Sequence, residues 1–288
     1  MKKALPISRS AALVILLTCI YSNLLAQKIQ TVQEGNLWAP STVKIDGKLT
    51  EWGTSLQAYN KTVKLWYTIA NDDKNIYLAI KSTDMDNNNK ILAGGISFIL
   101  NTAGKKKDKG AFSITYPVVS HTGGGGRGGR SRRGFGQQDT PDTASIIAQQ
   151  KQTLASAKEL NALGFKDITD TVISVYNEYS IKTVANIDDK GVFVYELAIP
   201  LALLGVAPGD QKEIAYDIKV NGLQLGGNSI SIGGGGTRLS TGGGGYGGGF
   251  GGGGGPTFGG GKSSDASDMM SPTDFWGKYV LAIKPATN

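Results

Sequence analysis

The alternation of apolar and polar residues between 42 and 117 constrains the fold more than any other feature of the sequence. One face of a predicted strand carries Val63, Leu65, Tyr67 and Ile69, and the other carries Lys64, Trp66 and Thr68. A turn rich in Asn and Asp follows at 71–75, and a second strand alternates over 76–81. Another pair is predicted at 96–100 and 111–116, across the basic turn 104–110. This period of two predicts an antiparallel sheet with one buried face.

The second half of the chain returns to strands after one change of period. A helix is predicted over 142–164, where Asp142 or Thr143 begins it and Gly164 ends it. Its apolar residues are Ile146, Ile147, Leu154, Ala157, Leu160 and Leu163. Further strands are predicted at 171–176, 179–186, 192–199, 213–223 and 277–283. The predicted fold class is all-β: an antiparallel β-sandwich with one inserted α-helix and two Gly-rich disordered loops.

Glycine is distributed very unevenly along the 288 residues. Of its 42 positions, 8 lie between 123 and 136 and 19 between 233 and 261. The rest of the chain has a glycine content that is ordinary for a globular protein, which excludes a collagen-like or wholly disordered chain. We therefore predict one β-sandwich domain over 27–288, interrupted by a Gly/Arg-rich loop at 122–141, the helix at 142–164 and a Gly-rich loop at 226–268. Such loops are interpreted as flexible and solvated. The alternative is docking on an anionic polysaccharide or lipopolysaccharide through Arg127, Arg130, Arg132 and Arg133.

The first 26 residues have the pattern of a secretory signal peptide. Positive charges at Lys2, Lys3 and Arg9 precede an apolar run at 11–20, which is too short to span a bilayer, and Ala26 suits a cleavage site. We expect the mature chain to begin at Gln27, to lie in the periplasm or outside the cell, and to have no transmembrane span. Removing three positive charges lowers the formal charge from +7 to +4.

Cys19 is the only cysteine and leaves a second possibility for export. A lipid on Cys19 would make the protein an outer-membrane lipoprotein, although Thr18 is an unfavourable preceding residue. In a chain cleaved after Ala26, no cysteine remains for a disulfide, a thiolate metal site or a nucleophile.

Enzymatic interpretations find little support in the residue pattern. The single histidine, His121, borders a glycine run, whereas a Ser/His/Asp triad needs a rigidly oriented imidazole and zinc needs more ligands. No spacing among the carboxylates identifies a glycosidase pair. The letters Gly261-Lys262-Ser263 imitate a phosphate loop without its strand and helix context. Export argues against nucleic acid as a partner. Because no catalytic pattern is found, a protein without catalytic activity is the preferred interpretation.

Two segments carry a resemblance to a known family. One contains Trp38-Ala39-Pro40 and the run 43–52, which reads Val-Lys-Ile-Asp-Gly-Lys-Leu-Thr-Glu-Trp. The other contains the run 194–201, which reads Val-Tyr-Glu-Leu-Ala-Ile-Pro-Leu, with Leu204-Gly205 and the terminal run 276–281. Together they resemble the family 9 carbohydrate-binding modules, which are similar to sugar- and haem-binding DOMON-like domains. The resemblance implies a β-sandwich and an exported module that binds carbohydrate or an envelope polysaccharide.

The carboxylates of the first segment are interpreted as structural. Asp46 and Glu51 lie in a turn, where carboxylates bond to backbone or solvent more often than they form a catalytic pair. Gly47 supplies permissive dihedral angles, and Trp52 is expected to cover one end of the sandwich.

Trp66 and Tyr77 are the leading candidates for stacking on a sugar. Both fall on the face opposite the aliphatic residues of adjacent strands, and a pyranose ring lies readily on an aromatic face. The alternative is that both pack on the second face of the sandwich or under the helix. Trp38 and Trp276, which resemble family positions that close the sandwich edge, rank lower.

No cofactor is identified from the sequence. An oxygen-rich loop has ligand types that suit Ca²⁺ but lacks EF-hand spacing, so a solvated turn is preferred; it contains Asp84, Asp86, Asn87, Asn88 and Asn89. Haem binding would need an axial ligand to the iron, and the candidates are Met85, Met269, Met270 and His121. None of them lies in a motif that supports this role. Besides carbohydrate binding, the open hypotheses are a structural or assembly protein of the envelope whose Gly-rich loops contact a partner, a haem-binding module, and an unrecognised hydrolase. The oligomeric state stays open.

Overall fold

A computed structural model describes residues 29–53, 55–119, 142–207, 209–223 and 263–286. The predictions that concern the signal peptide, Cys19, His121, the arginines of the Gly/Arg-rich segment and most of the Gly-rich loop at 226–268 lie outside these residues. Within the described residues, eleven strands form two antiparallel sheets that pack face to face as a β-sandwich. The predicted fold class is confirmed in its two-sheet, antiparallel architecture.

The first sheet, called sheet A, has five strands in the order β1-β2-β3-β9-β8. They are β1 (Ala58–Asn60), β2 (Leu65–Asn71), β3 (Asn75–Ser82), β9 (Phe193–Pro200) and β8 (Lys182–Ile187). The two strands predicted on either side of the turn at 71–75 are β2 and β3. They pair antiparallel, with Asn71 opposite Ile76. β9 lies beside β3 although more than 100 residues separate them in the chain.

The second sheet, called sheet B, has six strands in the order β11-β10-β4-β5-β6-β7. They are β11 (Thr273–Val280), β10 (Glu213–Val220), β4 (Ile96–Asn101), β5 (Phe112–Val118), β6 (Glu159–Leu163) and β7 (Val172–Ser174). Three α-helices accompany the sheets: α1 (Met85–Gly94), α2 (Thr143–Ser156) and α3 (Ser263–Met270). Two 3-10 turns lie at Thr50–Trp52 and Leu201–Leu204. Among the described residues, no helix is both long enough and apolar enough to cross a membrane.

The main core lies between the two sheets and follows the predicted alternation. Leu65, Tyr67 and Ile69 of β2 point into it and are fully buried. The hydroxyl groups of Tyr67 and Tyr216 lie 2.9 Å apart at the centre, and the amide of Gln33 donates to the Tyr67 oxygen. Because these buried hydroxyl groups are hydrogen-bonded, their burial costs little free energy. The contact between Tyr67 of sheet A and Tyr216 of sheet B also links the two sheets.

The helix predicted over 142–164 is wrong in its second half. Asp142 begins α2 as expected, because its carboxylate accepts from the amide of Ser145. The helix ends at Ser156, and residues 159–163 form β6 against β5. Leu160 and Ala162 of this strand are buried in the core. Spacings of three between leucines fit a helix, but hydrogen bonding to the edge of β5 determines the observed strand.

The oxygen-rich segment at 84–89 is also corrected, because it begins helix α1 rather than forming a solvated turn. Asp84 is the N-cap: its carboxylate accepts from the amide of Asn87 and pairs with Lys64 at 3.0 Å. Asn88 is fully buried and donates to the carbonyl of Gly191. Local backbone bonding therefore occupies several of the polar side chains that suited Ca²⁺ by type.

Candidate carbohydrate-binding surface

The N-terminal part of the described chain packs on the outer face of sheet A. Its apolar side chains pack on the small residues and on Tyr77 of the sheet, and they make a second hydrophobic cluster outside the main core. The covering side chains are Leu37, Ala39, Val43, Ile45, Leu49, Trp52 and Leu56. The expectation that Trp52 covers one end of the sandwich is therefore wrong. Trp52 lies on the outer face of sheet A, with its ring centre 6.1 Å from that of Tyr77.

Glu196 anchors this covering segment. Its buried carboxylate accepts from the indole nitrogen of Trp52 at 2.8 Å, the amide of Gly47 at 2.9 Å and the amide of Asp46 at 3.1 Å. Burial raises the pKa of Glu196, while these three donors act in the opposite direction. Gly47 has a φ of 79°, and a Cβ there would come 3.1 Å from Val184 Cγ1. The motif at 45–52 is therefore a docking element of the fold.

The two carboxylates of that motif, Asp46 and Glu51, do not form a catalytic pair in the structure. Asp46 accepts from the amide of Lys48 at 3.0 Å, and Glu51 accepts from the hydroxyl of its neighbour Thr50 at 2.9 Å. These local contacts agree with the structural interpretation of both residues.

The covering segment leaves one row of side chains partly open along the outer face of sheet A. The strand register places Tyr59 of β1 opposite Trp66 of β2, and Trp66 opposite Lys81 of β3. The row continues through Val194 of β9 to Asn186 of β8. Tyr59, Trp66, Lys81 and Val194 are half-buried, and Asn186 is exposed. Directly opposed residues of antiparallel strands project from the same face, so these five residues form one strip, called the open row.

The aromatic part of the open row is compact. The ring centres of Tyr59 and Trp66 lie 4.9 Å apart, and the ammonium group of Lys81 lies 5.2 Å from the indole centre. Trp66 also packs against the second cluster, which holds its ring in place. The result is an aromatic platform held in place by packing, with the Lys81 ammonium group over the indole ring.

The structure does not bring Trp66 and Tyr77 together as a pair. Tyr77 lies four residues before Lys81 on the same strand, about 13 Å along it at 3.3 Å per residue, and is only 5% exposed. Its hydroxyl donates to the carboxylate of Asp72 at 2.7 Å and accepts from Asn75 at 3.1 Å. Burial raises the pKa of Tyr77 to about 12, and the bond to Asp72 acts in the same direction. Tyr77 thus takes the alternative role of packing under the covering segment.

The other two candidate tryptophans lie away from the open row. Trp38 belongs to the covering segment itself, between Leu37 and Ala39, and forms a parallel β-bridge to Asn71. Trp276 is half-buried on β11 in sheet B, opposite Asp217 of β10.

Asp217 is an unusual carboxyl that sequence patterns did not reveal. It is 2% exposed, and one of its oxygens has no hydrogen-bond partner within the described residues. Burial raises its pKa to about 8, and the charges of Asp274 and Asp108 add to the rise. A raised carboxyl pKa is also found in general acids, but such a group needs a cleft that admits substrate. Asp217 does not line the cavity beside β8 or the one beside Tyr77 and Pro200, both of which lie among the described residues.

Metal and haem hypotheses gain no geometric basis from the described residues. Within them, no three His, Cys, Asp or Glu side chains are grouped so as to hold a metal ion. Met85 packs against the main core, and Met269 and Met270 belong to α3.

Sequence reasoning found Trp66 but missed its companions in the open row. The alternation in β3 assigned Lys81 to the same face as Tyr77, yet the pattern does not give the register between strands. Tyr59 belongs to a strand of three residues, too short for a period to be recognised. Asn186 depends on the pairing of β8 with β9, which closes this side of the sheet.

Comparison with known proteins gives similarity to solved structures. No family model matches the chain, and no curated protein matches it. The chain is similar to a family 9 carbohydrate-binding module from Caldicellulosiruptor kristjanssonii in complex with glucose, with 8% identity and a TM-score of 0.39 over 88% of this chain and 99% of that one. It is also similar to a family 9 module from the same organism in complex with cellotriose, with 10% identity and a TM-score of 0.33 over 65% and 76% of the two chains.

Proposed function

We propose that this protein is an exported, non-catalytic module that binds carbohydrate through the open row. The observation that supports the proposal is the platform of Trp66 and Tyr59, with the Lys81 ammonium group over the indole ring. Sugar rings bind proteins by laying their C–H faces on aromatic rings while nearby polar groups bond to the hydroxyls. Lys81 and Asn186 supply such polar groups on the same strip.

The dimensions of the open row suit a chain of sugars better than a single ring. It crosses five strands, which at about 4.8 Å per step gives a length of about 19 Å. Asn186 at one end of the strip is exposed, so an oligosaccharide that lies across the strands can extend past that end. We therefore propose that the ligand is an oligosaccharide or polysaccharide of the cell envelope or its surroundings.

Export is part of the proposal and depends on the sequence of the first 26 residues. Lysines at 2 and 3, the apolar run and Ala26 support cleavage before Gln27. Mass spectrometry of the N-terminus of protein recovered from its native host tests this step. A chain beginning at a lipidated Cys19 would replace a free module with a membrane-anchored one.

A glycan array probed with the chain 27–288 tests the binding function directly. We expect at least one oligosaccharide to bind, and we expect Trp66→Ala to weaken that signal while the variant still unfolds cooperatively. Absence of binding across neutral and acidic glycans would favour the rival function, a structural or assembly protein of the envelope.

A further inference from the structure

A cavity opens at the edge of sheet A, at the end of the open row. It has a volume of about 530 Å³ and lies where β8 meets α2 and the segments on either side of β6 and β7. Asn186, the last residue of the open row, is part of its lining, so a ligand lying on the row reaches the cavity without leaving the protein surface. We call this space the edge cavity. Its volume is within the range of pockets that hold small ligands or one or two sugar rings.

The charge of the edge cavity is strongly one-sided. Three lysines line it, Lys151, Lys158 and Lys182, and no aspartate or glutamate does so. Lys151 is paired with Asp189 at 2.5 Å. Within the described residues, Lys158 and Lys182 have no ion pair, so two ammonium groups are left uncompensated beside the opening.

The remaining lining separates an apolar floor from polar and aromatic groups. Leu154, Ala157 and Ile187 are buried and contribute the floor. Thr183 is 6% exposed, and its hydroxyl interacts with the buried hydroxyl of Tyr195.

Tyr176 adds an aromatic surface at the lip of the edge cavity. It is 86% exposed, the largest exposure among the big apolar and aromatic side chains of the described residues. A ring so exposed gains little from packing in the free protein, and it is available to stack on a ligand.

We propose that the edge cavity binds a carboxylated sugar, so that the module selects glycans containing uronic acid residues. This inference rests on the proposed function, because the same glycan lies on the open row and places an acidic residue between Lys158 and Lys182. Carboxylates form shorter and stronger hydrogen bonds with ammonium groups than neutral hydroxyls do. A neutral sugar at this position would gain nothing from the two uncompensated charges.

Paired probes separate this inference from general sugar binding. Calorimetric titrations use trimers of galacturonic, glucuronic and mannuronic acid, each compared with its carboxyl-reduced counterpart, which differs only by a CH₂OH in place of each carboxylate. We expect at least one acidic trimer to bind about tenfold more tightly than its reduced counterpart at low salt. The preference should shrink at about 1 M salt, where the screening length is about 3 Å.

Variants assign the preference to the edge cavity. Lys158→Gln combined with Lys182→Gln should remove the acidic preference, so that the acidic and reduced trimers bind with similar affinity. Lys212→Gln is the matched control, because Lys212 is exposed and does not line the cavity. Thermal melts of all variants confirm that each is folded.

Each outcome bears on one of the two proposals. Equal binding of the acidic and reduced trimers overturns the inference and leaves carbohydrate binding standing. An acidic preference that survives in the double variant also overturns it, because other cations would then be responsible. If no trimer of any pair binds, the inference is overturned, and the glycan array alone decides the proposed function.

Discussion

The indole nitrogen of Trp52 donates a hydrogen bond of 2.8 Å to the buried carboxylate of Glu196, across 144 residues of sequence. This contact joins the covering segment to the middle of sheet A. The covering segment borders the open row, because its apolar side chains pack against Trp66 and Gly47 lies close to Asn186. The proposed binding surface is therefore the part of this face that the covering segment leaves partly exposed.

Replacing Glu196 should destabilise the fold strongly. Glu196→Ala leaves three buried donors without an acceptor, two from the backbone of the 45–52 motif and one from Trp52. We expect a loss of about 3 kcal/mol in the free energy of unfolding, measured by denaturant titration. Glu51→Gln is the control and should change stability by less than about 0.5 kcal/mol. Similar effects of the two changes would mean that Glu196 does not anchor the segment.

Asp217 should make stability fall as the pH rises. Its pKa in the folded protein is about 8, above the ordinary value of 3.8, so the folded state holds the proton more tightly than the unfolded state does. The contribution is complete below about pH 4 and is lost as the pH rises towards 8. At 1.36 kcal/mol per pKa unit, the loss has an upper bound of about 6 kcal/mol.

The variant Asp217→Asn tests this origin of the pH dependence. The amide is neutral at every pH, so the decline between about pH 4 and 8 should flatten in urea melts of the variant compared with the parent. An unchanged profile would assign the dependence to other groups, of which Glu196 is the first candidate because burial raises its pKa as well.

Tyr77→Phe should affect stability and leave glycan binding unchanged. The change removes the hydrogen bonds that the Tyr77 hydroxyl makes with Asp72 and Asn75. The expected loss is about 1 kcal/mol, read from a denaturant melt, with the dissociation constant of the glycan within twofold of the parent. A large loss of affinity would return Tyr77 to the binding site.

Deleting residues 242–261 should leave the domain folded. β10 and β11, which lie on either side of this segment in the chain, are paired along eight residues, from Glu213 with Val280 to Val220 with Thr273. The segment contributes 15 glycines and few apolar groups, and loop-closure entropy changes only slowly with length. Thermal melts should show one cooperative transition in both proteins. Loss of cooperativity would show that the segment contributes to the core.

The sequence predicted those elements whose side chains alternate over a full strand. β2 and β3 are examples, because each has a continuous aliphatic face and an Asn/Asp turn lies between them. It failed at β6, where leucines three apart fit a helix, and at α1, whose polar first turn resembled a loop. The alternation within β2 was sufficient to assign Trp66 to the outer face of the sheet. Its neighbours Tyr59 and Lys81 depend on strand register, and the lysines of the edge cavity depend on the position of α2 beside β8, neither of which the local sequence specifies.

The binding of a glycan identified on the array by the parent, Trp66→Ala and Trp276→Ala tests the central claim most directly. Both tryptophans are half-buried on outer sheet faces, but only Trp66 belongs to the open row. We predict that Trp66→Ala weakens binding by about 1 to 3 kcal/mol, measured by calorimetric titration, while Trp276→Ala leaves it unchanged and both variants stay folded. Unchanged affinity in Trp66→Ala, or a loss confined to Trp276→Ala, would contradict the assignment of the open row as the binding surface.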